Sequence, residues 1–213
     1  MNEVDALSPQ ERMIRQQIMD RGIVDSHVLA AMRSVPRDQF LPADLREAAF
    51  ADRAAPIGYD QTISQPYIVA LMSSRLDLHS TSKVLEIGTG CGYQTAILAR
   101  LAGQVYTIER IKPLLDEAWE RLMSMSLRNI HFRYGDGARG WPQEAPFDRI
   151  LIGAAAHALP RRLLLSQLAD GGQAVLPHGD EGNQMLTHVR RKGDELITTD
   201  LCPCRFVELV GEI

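Results

Sequence analysis

Hydrophobic and polar positions follow two different periods along this chain. From Lys83 onward, short apolar runs alternate with longer stretches whose apolar residues recur every three or four positions, as buried strands and amphipathic helices do in a parallel sheet. The strand-like runs begin at Val84 and then cover Gln104–Ile108, Ile130–Tyr134, Phe147–Gly153 and Gln173–Leu176. The helical stretches between them are Tyr93–Ala102, about Leu114–Ser124 and Pro160–Leu168, the last closed by Gly171-Gly172. The tail then changes character. Gln184–Arg190, Glu195–Leu201 and Arg205–Val210 are three short strand-like runs with tight turns between them, which predicts an antiparallel edge. Ahead of Lys83 the period is helical. Ser8-Pro9-Gln10-Glu11 combines a capping serine, a proline at the first helical position and a glutamate in the first turn, and launches a helix that ends near Gly22. Helices from about Asp25 to Ser34 and from about Pro66 to Leu76 flank a loop-rich stretch, Val35–Ser64.

The expected architecture is therefore α/β: one domain over residues 1–213, in which a doubly wound, Rossmann-like sheet (81–213) carries antiparallel C-terminal edge strands and an N-terminal helical lobe (1–80) covers its ligand site. With 213 residues, 45% of them hydrophobic, the chain can bury a full core. Its net charge of −4 and pI near 5.9 argue against nucleic acid as a partner. Arg190-Arg191-Lys192 is followed at once by Gly193-Asp194-Glu195, a charged hairpin turn rather than a basic surface. No run is long enough to cross a bilayer and the N-terminus is polar and acidic, so the expected setting is the cytoplasm, with no membrane partner. Cys91, Cys202 and Cys204 are expected as reduced thiols, and Cys-Pro-Cys without further ligands predicts no metal site. A monomer is expected.

Chemistry concentrates at Val84-Leu-Glu-Ile-Gly-Thr-Gly-Cys-Gly-Tyr93, a strand running into a glycine-rich turn and then a helix. Gly88, Gly90 and Gly92 let the backbone turn sharply and approach a ligand with no Cβ in the way. A dinucleotide fingerprint requires a further glycine where Tyr93 stands, which disfavours an NAD-dependent dehydrogenase. The spacing is that of S-adenosylmethionine (AdoMet) methyltransferases, and Glu86 beside the turn suits the ammonium of a methionine moiety. Glu109 closes the second strand about 20 residues after the first glycine, where an acidic side chain accepts the hydroxyls of a ribose. Gly135-Asp136-Gly137 closes the third. Asp136 at that strand end is the candidate acceptor for an adenine amino group, with Gly137 beside it.

In the lobe, Pro56-Ile-Gly-Tyr-Asp-Gln-Thr-Ile-Ser-Gln-Pro-Tyr-Ile-Val-Ala70 enters a helix at Ser64, with Pro66 in its first turn. From the residues alone, Ser64 is a helix cap. A resemblance adds a second reading. Gln61-Thr-Ile-Ser-Gln-Pro-Tyr67, Val84–Thr95, Gly135-Asp-Gly137, Gly153-Ala-Ala-Ala156 and Arg205-Phe-Val207 together resemble the protein-L-isoaspartate O-methyltransferases, in the same order over nearly the whole chain. The resemblance implies transfer of a methyl group from AdoMet to the free α-carboxylate of L-isoaspartyl residues in damaged proteins and peptides, after which the ester collapses to a succinimide. It makes Ser64 the active-site residue, places Gln61, Thr62, Ile63 and Cys91 at the cofactor, and places Ser64, Pro66 and Val207 at the substrate. A small-molecule hydroxyl or amine methyltransferase and a non-catalytic AdoMet sensor are the alternatives. Two positions depart from the family pattern: His157, where proline is common after Gly-Ala-Ala-Ala, and His178, where a small apolar residue usually follows Leu-Pro. Each either lines the pocket, with pH dependence between about 5 and 8, or is an exposed loop histidine without a task.

Overall fold

A computed structural model describes residues 7–211. The first helical run begins as α1 (Pro9–Met13), with the Ser8 side chain accepting the Glu11 N–H at 3.2 Å. It widens into a π-helical segment, Ile14–Ile18, tightens into a 3₁₀ turn and stops at Gly22, which sits at φ +90°. Asp25 caps α2 (Ser26–Ser34) through the His27 and Val28 N–H groups. The stretch expected to be loop contains more order than its composition suggests. Two 3₁₀ turns, Arg37–Phe40 and Ala43–Ala48, lead into a hairpin of β1 (Ala55–Gly58) and β2 (Gln61–Ile63), and α3 (Pro66–Arg75) follows. The hairpin turns on Tyr59 and Asp60 at φ +53° and +56°. Two consecutive left-handed residues normally announce themselves as Asn-Gly, and a Tyr-Asp pair carries no such signal.

The remaining elements are β3 (Lys83–Ile87), α4 (Tyr93–Leu101), β4 (Gln104–Glu109), α5 (Lys112–Ser124), β5 (Ile130–Tyr134), β6 (Phe147–Ile152), α6 (Arg161–Gln167), β7 (Leu168–His178), β8 (Gln184–Lys192) and β9 (Glu195–Cys204). Seven of the strands form one sheet in the order β5-β4-β3-β6-β7-β8-β9. Pairing is parallel from β5 through β7 and antiparallel from β7 to β9. Alternate residues serve opposite faces: Val84, Val105 and Leu151 pack with the lobe helices and α4, whereas Leu85, Ile87 and Ile108 pack with Phe147 and Leu164 on the other side. One apolar cluster runs from Met13 and Met32 in the lobe to Val84 and Val175 in the sheet, so the lobe is bolted to the core.

Two expectations about the C-terminal half need correction. β7 starts at Leu168, directly after α6, and its pairing with β6 jumps from Phe147↔Leu168 to Arg149↔Gln173, so the Gly171-Gly172 segment loops out of the ladder instead of merely ending the helix. Arg205–Val210 is not an edge strand. It folds back over the sheet's carboxyl end, where the Val207 carbonyl accepts the Ala155 N–H at 2.7 Å and the Leu209 N–H donates to the Ala155 carbonyl at 2.8 Å. The antiparallel edge thus has two strands, β8 and β9.

Gly92 opens α4 at φ +89°, and a Cβ there would lie 2.9 Å from Leu122 Cδ1 and 3.3 Å from the Ala118 Cβ. Gly92→Ala combines a left-handed conformation costing about 1–2 kcal/mol with overpacking against α5, which typically adds about 1–3 kcal/mol. A calorimetric melt of this variant is expected several degrees below that of the parent, and an unchanged melting temperature would contradict this packing.

Candidate active site

Strands β3 and β6 lie side by side, yet the chain winds from β3 toward one edge of the sheet and from β6 toward the other. A crevice opens at such a switch point, outside the carboxyl ends of the strands. Here each strand is followed at once by a glycine, Gly88 after β3 and Gly153 after β6. The Gly153 N–H donates to the Ile87 carbonyl at 2.7 Å, and Gly88, at φ +96°, passes the Gly153 backbone so closely that a Cβ would touch it at 3.8 Å. The cleft beyond is about 370 Å³. The hairpin residues Asp60, Gln61 and Thr62 wall it on one side, Ile108 and Ile111 on another, and Val207–Val210 close it from the tail.

Glu109 stands at the mouth of this cleft, nearly buried. Its Oε2 accepts the Gly90 N–H at 2.9 Å, while Oε1 accepts the Arg110 and Ile111 N–H groups at 2.8 and 2.9 Å. A carboxylate offers about four acceptor positions, so a ribose finds one open and a second where Gly90 yields or shares its bond. Apolar walls for a flat base, a carboxylate for a sugar edge and glycines that leave no Cβ in the way make this cleft fit AdoMet.

Of the residues singled out in the sequence, Gln61, Thr62, Gly88, Gly90, Glu109, Gly137 and Val207 line the cleft. Ile63, Ser64 and Cys91 line a chamber of about 50 Å³ beneath the glycine turn, shared with Tyr93 and Phe206. Ser64 also faces an outer groove of about 250 Å³ that runs past Ile68, Cys204, Phe206 and Val207. Thr62 and Gly153 border all three spaces, so Ser64, which lines the chamber and the groove, lies next to the cofactor cleft without lining it.

Four expected residues lie elsewhere. Glu86 is fully buried behind the turn, its Oε2 accepting Thr95 Oγ1 at 2.5 Å and Thr107 Oγ1 at 2.7 Å, and Thr107 in turn contacts Thr89 Oγ1 at 2.6 Å. Its side chain alternates to the α4 face of β3, so it braces the glycine turn through threonines and lines none of these spaces. Asp136 spends Oδ1 on the Ala138 N–H at 2.9 Å as the cap of a 3₁₀ turn and lines none of these spaces. Gly92 serves helix packing, and Pro66 is buried at the first position of α3. The cap of α3 is Gln65, without a side-chain bond, and Ser64 Oγ has no hydrogen-bond partner among the described residues. The helix-cap reading of Ser64 therefore fails: the chain enters α3 one residue later than its composition suggests.

The histidines also separate. His157 is 84% exposed at the rim of a further outer recess, with Nδ1 2.9 Å from Asp180 Oδ1. His178 is not in a loop; it is half-buried in β7, with Nε2 3.1 Å from Thr187 Oγ1, which donates to Asp200. Sequence reasoning missed Arg37, which is 1% exposed and donates from Nη2 to the Ser64 carbonyl at 2.7 Å. A lone arginine in a turn carries no spacing signal. It missed Phe206 too, although that residue lies inside the Arg-Phe-Val segment.

Burial pushes the Glu86 carboxyl up to about 8, against the Thr95 and Thr107 hydroxyls, which favour its ionised form. The folded chain thus keeps a proton that the unfolded chain releases above about pH 4.5. Stability contributed by this group is complete below that pH and is lost as pH rises toward 8, by up to about 1.4 kcal/mol per pH unit. Glu86→Gln keeps an acceptor for the threonines and removes the titration. Its melting temperature relative to the parent is expected to rise steadily from pH 5 to pH 8, and parallel melting curves would contradict the assignment. Burial raises the Cys91 thiol as well, and pushes Cys204 up to about 12, so neither thiol supplies a nucleophile at neutral pH.

Comparison with known proteins gives the same picture over nearly the full length. The chain is 48% identical to a protein-L-isoaspartate O-methyltransferase of Trichlorobacter lovleyi over 203 residues, 95% of this chain and 93% of the relative. It is 45% identical to that of Parvibaculum lavamentivorans over 99% of this chain and 97% of the relative. Among solved structures, a Plasmodium falciparum protein-L-isoaspartate O-methyltransferase in complex with S-adenosyl-L-homocysteine superposes with a TM-score of 0.83 at 25% identity, covering 96% and 99% of the two chains. Residues 8–213 match the sequence profile of the protein-L-isoaspartate(D-aspartate) O-methyltransferases, and with the glycine cleft, Glu109 and the Ser64 loop in place this chain belongs to that family.

Proposed function

We propose that this chain methylates the free α-carboxylate of L-isoaspartyl residues in damaged proteins and peptides, with AdoMet as methyl donor, and so opens their repair through a succinimide. The observation that carries the reading is the Ser64 hydroxyl, without a hydrogen-bond partner among the described residues, on the chamber and groove that adjoin the cofactor cleft through Thr62 and Gly153. Bound AdoMet supplies a methyl group on a sulfonium. The residues of the chain supply position. An α-carboxylate with a pKa near ~3.5 is ionised at neutral pH, so no general base is required. Ser64 Oγ donates to one carboxylate oxygen and leaves the other free to attack. The Val207 N–H, in no hydrogen bond among the described residues, offers an extended peptide a backbone anchor along the groove. The consecutive residues from Pro203 to Val207 along the groove give an extended polypeptide a length of backbone to follow. Labelled-methyl transfer to an isoaspartyl peptide, with hydroxyl- and amine-bearing small molecules as competitors, tests this: transfer to the peptide alone is expected, whereas transfer to a small molecule alone, or to nothing, would overturn it.

In this reading Gln61, Thr62, Ile63, Gly88, Gly90, Cys91, Glu109 and Gly137 surround the cofactor. Glu86 and Gly92 support the turn from behind. Asp136 shapes the loop after β5. We further place the protein in the cytoplasm as a monomer acting on protein substrates, apart from nucleic acid and membranes. The acidic balance and three free cysteines support that placement, and no helix among the described residues is long and apolar enough to cross a membrane.

Glu109→Ala is expected to weaken AdoMet binding at least tenfold, since hydrogen bonds to a charged acceptor contribute about 1.5–3 kcal/mol each and the Gly90 tether is lost with them. Glu109→Gln, which retains an acceptor oxygen, should fall between. Titration calorimetry checks this; unchanged affinity in folded Glu109→Ala would remove Glu109 from the site.

A further inference from the structure

We infer that Arg37 is a positioning residue for methyl transfer, acting through the backbone of Ser64; this rests on the functional reading above. Arg37 begins a 3₁₀ turn in the lobe, is 1% exposed, and has no carboxylate partner among the described residues. A buried cation without a counter-ion is a costly filler, and an aliphatic side chain of similar length would occupy the space at lower cost. What the guanidinium provides is a rigid fork. Its Nε donates to the Ala49 carbonyl at 2.8 Å and its Nη2 to the Ser64 carbonyl at 2.7 Å, joining the lobe to the active-site loop. The guanidinium lies 4.9 Å from the centroid of the Tyr93 ring, which also packs edge-on with Phe40 at 5.3 Å. Tyr93 lines the chamber under Ser64. The cation is thus clamped against α4, which starts at the glycine turn, and from there it fixes the Ser64 peptide plane.

That bond matters because the Ser64 side chain is not aimed by any other contact. Its Oγ has no partner among the described residues, and Gln65, the next residue, is tied outward, to Asp52 at the surface. With no hydrogen bond holding the side chain, the place from which the hydroxyl acts depends on the Ser64 backbone, and Arg37 holds that backbone by its carbonyl. Lysine cannot reproduce this, because one ammonium at the end of a flexible stem does not span two carbonyls in a fixed plane.

The test is a double-mutant cycle on turnover of an isoaspartyl peptide, combining Arg37→Lys with Ser64→Ala. Arg37→Lys alone is expected to lower kcat about tenfold to a hundredfold, the effect of misplacing a reacting group by about 1 Å, with AdoMet affinity within about twofold of the parent by calorimetry. In the Ser64→Ala background, where no hydroxyl remains to be aimed, the same substitution should change kcat less than about twofold. A purely structural arginine would lower activity equally in both backgrounds, so additive losses would overturn the inference, as would full turnover in Arg37→Lys. If Arg37→Lys does not fold, Arg37→Gln carries the cycle; failure of both to fold would assign Arg37 to lobe stability and also overturn it. Absence of transfer by the parent protein would instead strike the functional reading.

Discussion

Replacing Ser64 by asparagine is expected to lower turnover of an isoaspartyl peptide by at least about a hundredfold, the scale on which loss of one preorganised hydrogen-bond donor is felt. Fold and cofactor binding should be preserved. Had Ser64 capped α3, asparagine would replace it without loss, since both residues are good caps. The cap is Gln65, and Ser64 lines a chamber with its hydroxyl in no hydrogen bond among the described residues. Asparagine carries its donor one bond further out on a bulkier amide and intrudes on a chamber of about 50 Å³. Ser64→Ala removes the donor without adding bulk and should lower kcat comparably, with AdoMet affinity little changed and the melting temperature close to that of the parent. Steady-state kinetics beside a calorimetric titration separates the cases: normal turnover in folded Ser64→Asn would return this residue to a structural role.

Much of the fold was legible because it is written in periodicity. Strands β3, β4 and β6 are buried on both faces and stand out as apolar runs, and the caps at Ser8 and Asp25 are where their side chains predict. The β1–β2 hairpin was illegible, since its left-handed turn residues are Tyr59 and Asp60 rather than the usual asparagine and glycine. The segment from Arg205 to Val210 alternates like a strand but makes a single bridge, to Ala155, among the described residues, because β9 has already completed the sheet edge.

The site was legible to the same degree and for related reasons. Glycine spacing and an acid at a strand end are local signals, and they brought Gly88, Gly90 and Glu109 to one cleft. Whether an acid near such a turn faces the ligand is set by strand alternation, a parity that placed Glu86 on the far face. Asp136 uses one oxygen of its short side chain to cap its own loop and lines none of the three spaces, which a strand-end position by itself does not reveal. Arg37 and Phe206 reach the site by tertiary packing from distant segments, and no local pattern announces that.

The repair function stands or falls on initial rates of methyl transfer to two synthetic peptides of identical sequence, one with an L-isoaspartyl linkage and one with normal aspartate. The isoaspartyl linkage runs the backbone through the side chain, adding a methylene to the main chain and leaving the α-carboxylate on a short arm, whereas normal aspartate holds its carboxylate one carbon further out. A site that fixes the peptide backbone along Val207 and one carboxylate at Ser64 senses that difference as a displacement of the attacking oxygen. A displacement of about 1 Å costs about a hundredfold in rate. The prediction is efficient methylation of the isoaspartyl peptide and a rate at least about a hundredfold lower for its aspartyl twin. Comparable rates on the two peptides would contradict the repair function and leave only an AdoMet-binding fold.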